Sequence, residues 1–172
     1  MQLNKHQIAV HSISLAHIAI ERLFPVRVSI VKGMATAKTH TAPGIEFAVI
    51  PPKLVPQELR VFQKQAISIG VELEFELIRL IGEVPRHYHR RSGGTIVKCE
   101  STLEDTLGIF DYFGKGKKTM WQPVKTGEIK FVPAGMVHAL RFDRDNRVGP
   151  SEVVHILSVN TPPIHPKDTV YV

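Results

Sequence analysis

The sequence predicts an all-β fold of the sandwich, jelly-roll or barrel type. From residue 70 onward, many short strand-like runs are separated by turns that carry Gly, Pro, Asp or Asn. The stretch "GVELEFELIRLIG" (70–82) alternates apolar and acidic residues, which is the period of a β-strand. No strong βαβ pattern is present, and 172 residues without a linker or repeat fit one domain, 1–172.

The N-terminal segment 12–24 fits two kinds of secondary structure. It fits a short helix with Leu15 and Ile18 on one side, or a strand in which Ile18 alternates with Ile20. In both cases Pro25 is expected to end the element, because the residue before a proline is disfavoured in the helical region.

The next three segments take the chain to residue 65. "VRVSIVK" (26–32) is rich in β-branched residues, and "GIEFAVIPP" (44–52) is a short apolar run ended by two prolines, so both predict strands. "LVPQELRVFQKQ" (54–65) predicts one helical turn or a loop.

The clearest strand lies within 70–82. One face carries apolar side chains and the other carries Glu72, Glu74 and Glu76, which predicts a half-buried strand with one side in water. The apolar face consists of Val71, Leu73, Phe75 and Leu77.

Six further runs predict the remaining strands, and "GKGKK" (114–118) predicts a solvated hairpin turn between two of them. The runs are "TIVKCES", "LGIFDYFG", "KTMWQPV", "EIKFVP", "VHALRF" and "EVVHILSV".

The net charge of +6 comes from 22 Lys and Arg against 16 Asp and Glu. These basic residues are spread along the chain apart from "RHYHRR" and "KGKK", and no nucleic-acid-binding motif occurs. We therefore expect no nucleic-acid partner. The charge favours acidic small molecules or serves solubility alone.

The sequence contains one cysteine, Cys99, so neither an intramolecular disulfide nor a cysteine-cluster metal site is available. His11 and His17 interrupt the apolar N-terminus, no small-residue cleavage site follows, and no apolar run reaches about 20 residues. We expect a cytoplasmic protein with no signal peptide and no membrane partner.

Two segments carry histidines at positions that suit metal binding. In "PRHYHRRSGG" (85–94), His87 and His89 are two apart and share one face if the segment is a strand. In "GEIKFVPAGMVHALRF" (127–142), a Pro-Gly turn precedes His138, which shares its face with Leu140 and Phe142.

These two segments resemble the two motifs of the cupin family. The second motif, G, five residues, P-x-G, two residues, H, three residues, N, is matched by Gly127, Pro133, Gly135 and His138, with Phe142 in place of the Asn. The first motif, G, five residues, H-x-H, three or four residues, E, six residues, G, is matched by Gly82, His87 and His89, with one residue fewer before the first His. Its acidic position falls at Gly93 or Gly94.

The resemblance covers residues 71–159 and implies a double-stranded β-helix, the cupin jelly roll, with residues 1–60 as an N-terminal extension with added strands. It also implies that His87, His89 and His138 converge on one divalent metal inside the barrel. Three neutral imidazoles suit Fe, Mn, Ni, Cu or Zn and leave positions open for water or a substrate.

The missing glutamate leaves two interpretations of the metal site open. A three-histidine site is similar to those of the thiol and diketone dioxygenases of the superfamily, which use iron without that glutamate. Alternatively, a carboxylate from elsewhere, such as Glu83 or Glu100, takes its place.

Four further residues are candidates for contact with a small-molecule ligand. Arg91 shares the face of His87 and His89 if the strand extends that far, where it would meet a carboxylate. Phe142 and Trp121 are candidates for lining the cavity or are ordinary core residues, and His155 is a candidate for supporting the site but is better explained as a hydrogen-bonded core or interface histidine. For Arg91 the structural alternative is a solvent-facing strand end.

The sequence therefore supports three hypotheses about function. The first is a metal-dependent enzyme, most concretely an iron dioxygenase, acting on a small anionic organic molecule. The second is a non-catalytic sensor or storage protein, which the missing Glu and Phe142 favour. The third is a sugar isomerase or epimerase, for which the sequence offers no identifiable acid or base.

The chain is also expected to form a homodimer. The N-terminal 60 residues contain apolar, strand-like stretches that a small barrel does not need, and pairing of strand edges across a two-fold axis would cover them.

Overall fold

The computed structural model describes residues 3–99, 106–111, 120–142 and 153–172, and this part of the chain contains three α-helices and eleven β-strands. The predicted hairpin turn at 114–118 lies outside the described residues. The helices are α1 (Lys5–Leu23), α2 (Arg27–Gly33) and α3 (Gln57–Ser68). The strands are β1 (His40–Ala42), β2 (Ile45–Val49), β3 (Glu74–Leu80), β4 (Val84–His89), β5 (Gly93–Lys98), β6 (Thr106–Phe110), β7 (Gln122–Pro123), β8 (Ile129–Val132), β9 (His138–Phe142), β10 (Val154–Thr161) and β11 (Thr169–Tyr171).

The N-terminal segment is the helix α1, which resolves the ambiguity of the sequence pattern. A capping box starts it, since Asn4 Oδ1 accepts from the Gln7 amide at 2.9 Å and Gln7 Oε1 accepts from the Asn4 amide at 3.0 Å. The buried residues have helical spacing, but they are shifted by one position from the predicted Leu15 and Ile18. The sequence pattern missed this face because half of its residues are alanines. The buried face consists of Ala16, Ala19, Ile20 and Leu23.

The strand predicted at 26–32 is wrong, because this segment forms α2. The chain continues from α1 through a 3-10 turn, Phe24–Val26, with Pro25 in the first turn, where its missing N–H costs nothing. Arg27 Nη1 donates to Phe24 O at 3.0 Å, and its guanidinium lies 4.1 Å from the centroid of the Phe24 ring. These local contacts and the burial of Ile30 outweigh the weak β-propensity of the valines.

The segment predicted as one helical turn or a loop is the three-turn helix α3. Leu59 and Ala66 are buried on one side of it, with Phe62 partly buried between them. The helix ends before Gly70, whose φ of +85° is available to glycine without strain, and the Val71 amide donates back to Ala66 O at 2.9 Å.

The strands form two antiparallel sheets, which confirms the predicted all-β double-stranded β-helix. The six-stranded sheet has the order β1-β2-β3-β10-β5-β8, and the five-stranded sheet has the order β11-β4-β9-β6-β7. Along the chain, β3, β5, β8 and β10 fall in the first sheet while β4, β6, β9 and β11 fall in the second. This alternation between facing sheets is the jelly-roll pattern.

The structure has two apolar layers, one on each face of the six-stranded sheet. The first lies between its outer face and the helices, where Ile20 packs in one cluster with Leu157 and Val159. The second lies between the sheets and includes Leu140 and Ile156. None of the helices within the described ranges is long and apolar enough to cross a membrane.

The prediction that one face of the strand within 70–82 is exposed to water is wrong, because both faces of β3 are covered. Its apolar face is covered by the helices, as Phe75 and Leu77 are buried in the first layer. The face assigned to water lines the space between the sheets instead, and Glu76 is only 6% exposed there. The alternation was correctly identified, but a strand covered on both sides can carry acidic residues inside a barrel as well as outside it.

Candidate metal centre

The three motif histidines lie side by side on the inner face of the five-stranded sheet. His87 and His89 are on β4, His138 begins the neighbouring strand β9, and His87 is paired with His138 in the register. The ring centroids are 4.1 Å apart for His87 and His138, 5.2 Å for His87 and His89, and 5.3 Å for His89 and His138. One ring nitrogen from each residue lies within 4.8 Å of the others.

A bulge in β4 and a glycine turn hold this arrangement. Val84 pairs with Leu140 and His87 with His138, so β4 has one residue more than β9 over the same span. The turn between β8 and β9 contains Gly135 with a φ of +81°, and its amide donates to His89 O at 2.8 Å. The P-x-G element therefore joins the end of β4 to the start of β9.

The hydrogen bonds of the imidazoles leave the Nε2 atoms of two of them available. His87 Nδ1 lies 2.8 Å from Pro85 O, and His138 Nδ1 lies 3.0 Å from Met136 O. A carbonyl oxygen only accepts, so Nδ1 must carry the proton and Nε2 the lone pair in each neutral ring. His89 Nδ1 lies 3.1 Å from Thr169 Oγ1, a hydroxyl that can serve either role.

Burial keeps these rings neutral. Loss of solvation lowers the pKa of all three, and together with repulsion from His87 it brings the pKa to about 4 for His89 and about 3 for His138. Neutral imidazole is the form that ligates a metal, so the three residues are ready to bind one at neutral pH.

The donor set fits a divalent transition metal. Three imidazoles with fixed tautomers in two cases, held by backbone carbonyls, match the way that proteins orient metal-binding histidines. Among the described residues, no carboxylate belongs to this cluster. A metal held here would keep its full positive charge and would have coordination positions left for a ligand.

Of the candidates for contact with a ligand, Phe142 lies between the sheets with the three histidines, whereas Trp121, Arg91 and His155 do not. Phe142 packs in the apolar layer between the sheets with Leu140. Trp121 stacks on Arg141, whose guanidinium carbon lies 3.9 Å from the ring centroid. Arg141 lies between Leu140 and Phe142 in the strand and thus on the opposite face of β9.

Arg91 and His155 also lie away from the three histidines. Strand β4 ends at His89, so the continuation that would turn Arg91 toward the metal is missing, and Arg91 is exposed in the turn that follows. His155 lies on the outer face of the six-stranded sheet, beside Arg79, its partner on β3. Burial first and the charge of Arg79 second lower the pKa of His155.

Of the two glycines at the acidic position of the motif, Gly94 is the one at which a side chain would point between the sheets. A Cβ at Gly94 would lie 3.1 Å from Asn160 Oδ1 and 3.9 Å from Ser158 Oγ, whereas a Cβ at Gly93 would meet the backbone of residues 132–134. Neither glycine has a positive φ, so the backbone conformation does not require glycine at either position. Of the carboxylates considered as replacements, Glu83 is exposed and Glu100 lies outside the described residues.

Sequence reasoning missed a buried polar network on the facing sheet. Ser158 Oγ donates to Asn160 Oδ1 at 2.8 Å, and Asn160 Nδ2 donates to Glu76 Oε2 at 2.7 Å. All three residues are buried. The signal was present in "LSVNTPP", where Ser158 and Asn160 occupy alternate positions of an otherwise apolar strand.

Lys130 and Asp168 were also missed. Lys130 pairs with Ile96 in the register, so it faces the interior, and its Nζ lies 5.8 Å from the ring of Phe110, the strand partner of His138. That ammonium group is bound by Glu128. Asp168 is buried and accepts the amides of Arg91 at 2.9 Å and Ser92 at 3.0 Å, which fixes the turn after β4.

A separate cleft of about 460 Å³ lies outside the barrel, between α2 and the outer face of the six-stranded sheet. Its walls include Met34, Ala48 and Leu77 with the ion pair of Arg79 and Glu46, whose atoms are 3.0 Å apart. His155 belongs to this cleft and not to the candidate metal centre.

No protein-family profile matches the chain, and no curated protein is similar enough in sequence to match it. Among solved structures, a protein from Planctomyces limnophilus superposes with a TM-score of 0.51 and 14% identity, over 80% of this chain and 92% of that one. The Streptomyces nucleoside dehydratase Pac13, described as a β-barrel, superposes with a TM-score of 0.50 and 10% identity, over 78% of this chain and 83% of its own.

The oxalate decarboxylase of Lactobacillus farciminis aligns with 15% identity and a TM-score of 0.49, over 78% of this chain and 33% of its own. At such identities the likeness to the first two structures concerns the fold alone, and it agrees with a closed β structure built from two sheets.

Proposed function

We propose that this chain is a cupin that binds one divalent transition metal through His87, His89 and His138. The observation that carries the proposal is the convergence of three ring nitrogens within 4.8 Å, with two of the rings fixed by backbone carbonyls so that Nε2 is free. The cupin-like spacing of Gly127, Pro133, Gly135 and His138 supports the same assignment.

We further propose that the ligand is a small anionic organic molecule. A metal with only neutral ligands favours an anion in its open positions. Lys130 adds a positive charge to the same interior, although Glu128 partly neutralises it. Apolar side chains such as Leu140 and Phe142 pack between the sheets and would keep water from a ligand bound there.

The chemistry proposed is metal-dependent oxidation of this ligand by O₂, as in a three-histidine dioxygenase. When bound, the metal would supply the site at which substrate and O₂ meet. The protein residues position the imidazoles, bind the anion and keep water out. Non-catalytic binding is the second candidate, because no carboxylate joins the three histidines within the described residues.

The experiment that separates the two candidates uses iron-loaded protein prepared anaerobically. A set of small carboxylic acids is first screened for thermal stabilisation, and each binder is then exposed to O₂ while O₂ consumption is recorded. Consumption coupled stoichiometrically to loss of one binder supports the dioxygenase. Binding with no consumption and an unchanged ligand supports the binding protein. Absence of any stabilising acid contradicts the proposed ligand class.

A further inference from the structure

Glu76 points to the side of its sheet that faces the sheet of the three histidines, and the short connection between β3 and β4 indicates that it lies near their level. Leu80 ends β3 and Val84 begins β4, and both pack in the same apolar layer between the sheets. Glu76 lies four residues before Leu80, and His87 lies three residues after Val84. With a rise of about 3.3 Å per residue, both lie at similar distances from this connection on facing strands.

The register of the six-stranded sheet gives the same orientation independently. Glu76 is paired with Ser158, and Ser158 with Ile96. Residues two positions further along their strands, Ile78 and Ile156, belong to the apolar layer between the sheets. Because side chains alternate, Glu76 and Ser158 point to that same inner side.

Glu76 is held there by side-chain hydrogen bonds to Asn160 and Glu74, so a ligand oxygen would have to replace the Glu74 carboxylate as the acceptor of its proton. Asn160 Nδ2 donates to Glu76 Oε2 at 2.7 Å, and Ser158 orients Asn160 by donating to its Oδ1. Gly94 has no side chain, and the Asn160 amide oxygen lies 3.1 Å from where a Cβ at Gly94 would be. Near the place of the motif's metal-binding glutamate, this chain has the amide of Asn160, which donates to the carboxyl group of Glu76 on β3.

We propose that Glu76 is the residue that hydrogen-bonds the small molecule bound at the three-histidine site, and that its carboxyl exchanges a proton as the ligand binds. This inference rests on the proposed function. The ligand class is a small carboxylate with an oxygen atom left over after metal binding, which the protonated carboxyl of Glu76 donates to. Glu76 is not a metal ligand in this proposal, since the described cluster contains the three histidines without it.

The electrostatic surroundings agree with a carboxyl that carries a proton. Burial, followed by the charge of Glu74, raises the pKa of Glu76 to about 7, while the hydrogen bond from Asn160 opposes this rise and the hydrogen bond to Glu74 adds to it. Among the described residues, the titratable groups on the same inner side of the sheet as Glu76 are Glu74 on β3, the buried Lys98 on β5 and Lys130 on β8, and the three imidazoles lie on the facing sheet. From the neighbouring strands, Val49 on β2 and Ser158 on β10 are its uncharged partners.

The test is calorimetric titration of oxalate into zinc-loaded wild type, Glu76→Gln, Glu76→Leu and the control Glu72→Gln, at pH 8. Glu72 is exposed and lies just before β3, so it serves as a charge-matched control. Repeating each titration in two buffers of different ionisation enthalpy gives the number of protons taken up. Zinc content is measured for every variant before titration.

We expect Glu76→Gln to take up fewer protons on binding oxalate than wild type and Glu72→Gln, because displacement of zinc-bound hydroxide consumes the same number of protons in all three proteins. Glu76→Leu should keep one zinc and bind oxalate at least tenfold more weakly. Equal proton uptake and affinity in wild type and Glu76→Gln, loss of zinc in folded Glu76→Gln, or no oxalate binding to zinc-loaded wild type would each overturn the inference. Failure of wild type itself to bind zinc would contradict the proposed function instead.

Discussion

Gly135 adopts a backbone conformation that other residues reach only at a cost. Its φ is +81°, and its amide holds His89 O. Replacing it with alanine should therefore lower the free energy of unfolding by about 1–2 kcal/mol, although no atom lies within 4 Å of the added Cβ. Urea denaturation measures this loss.

Gly82→Ala is the matched control for this prediction. Gly82 also belongs to the motifs, but its φ is not positive, and an added Cβ would meet only Gly44 Cα at 3.7 Å. We expect a change within about 0.5 kcal/mol. Equal losses in the two variants would show that the backbone of Gly135 is not the cause.

Glu76 should make the stability of the metal-free protein depend on pH. Burial, followed by repulsion from Glu74, raises its folded-state pKa to about 7 from 4.5, so folding favours the protonated form. Stability is then fully present below about pH 4.5 and is lost as the pH rises through about 7. Glu76→Gln lacks this titration.

The melting temperature of Glu76→Gln relative to wild type should therefore be higher at pH 8 than at pH 5. Comparing the variant with wild type at each pH removes the contributions of the other titrating groups. A difference that stays the same between pH 5 and pH 8 would mean that Glu76 is ionised in the folded protein throughout this range.

At the scale of elements, the residues that α1 buries are not those that the sequence pattern predicted. Ile20 is fully buried, whereas Ile18 is 37% exposed. Truncating Ile20 to alanine should cost about 2–5 kcal/mol because it leaves a cavity in the layer under α1. Ile18→Ala should cost less than about 0.5 kcal/mol. Chemical denaturation of both variants tests the helical assignment, since a strand that buries Ile18 and Ile20 alike would make the two costs equal.

The strands and the three histidines were predictable because their signals are local. Alternation in 70–82 and the glycine and proline spacing of 127–138 are visible in the sequence. The helix at 27–33 was not predictable from its β-branched residues, since packing against the sheet and the Arg27 contacts decide it. Glu76 was assigned to solvent because alternation identifies two faces but does not tell which of them a barrel encloses.

At the scale of the whole molecule, most of the N-terminal segment does not present the strand edges from which a homodimer was predicted. The N-terminal stretches expected to present strand edges are mainly helices that cover the outer face of their own sheet, although they are joined to the short strands β1 and β2. The dimer stays a prediction. Sedimentation equilibrium at micromolar concentration should give about twice the monomer mass of 19.3 kDa, and a mass equal to the monomer would refute it.

The most direct test of the account is the metal content of three proteins expressed without a histidine tag: wild type, His138→Ala and His155→Ala. The last is a matched control, because His155 is also partly buried on a strand but lies on the outer face of the other sheet. Elemental analysis after equilibration with zinc and gel filtration should give one equivalent in wild type and His155→Ala, and almost none in His138→Ala, with all three folded by circular dichroism. Unchanged zinc in folded His138→Ala, or equal loss in both variants, would contradict a metal centre built from His87, His89 and His138.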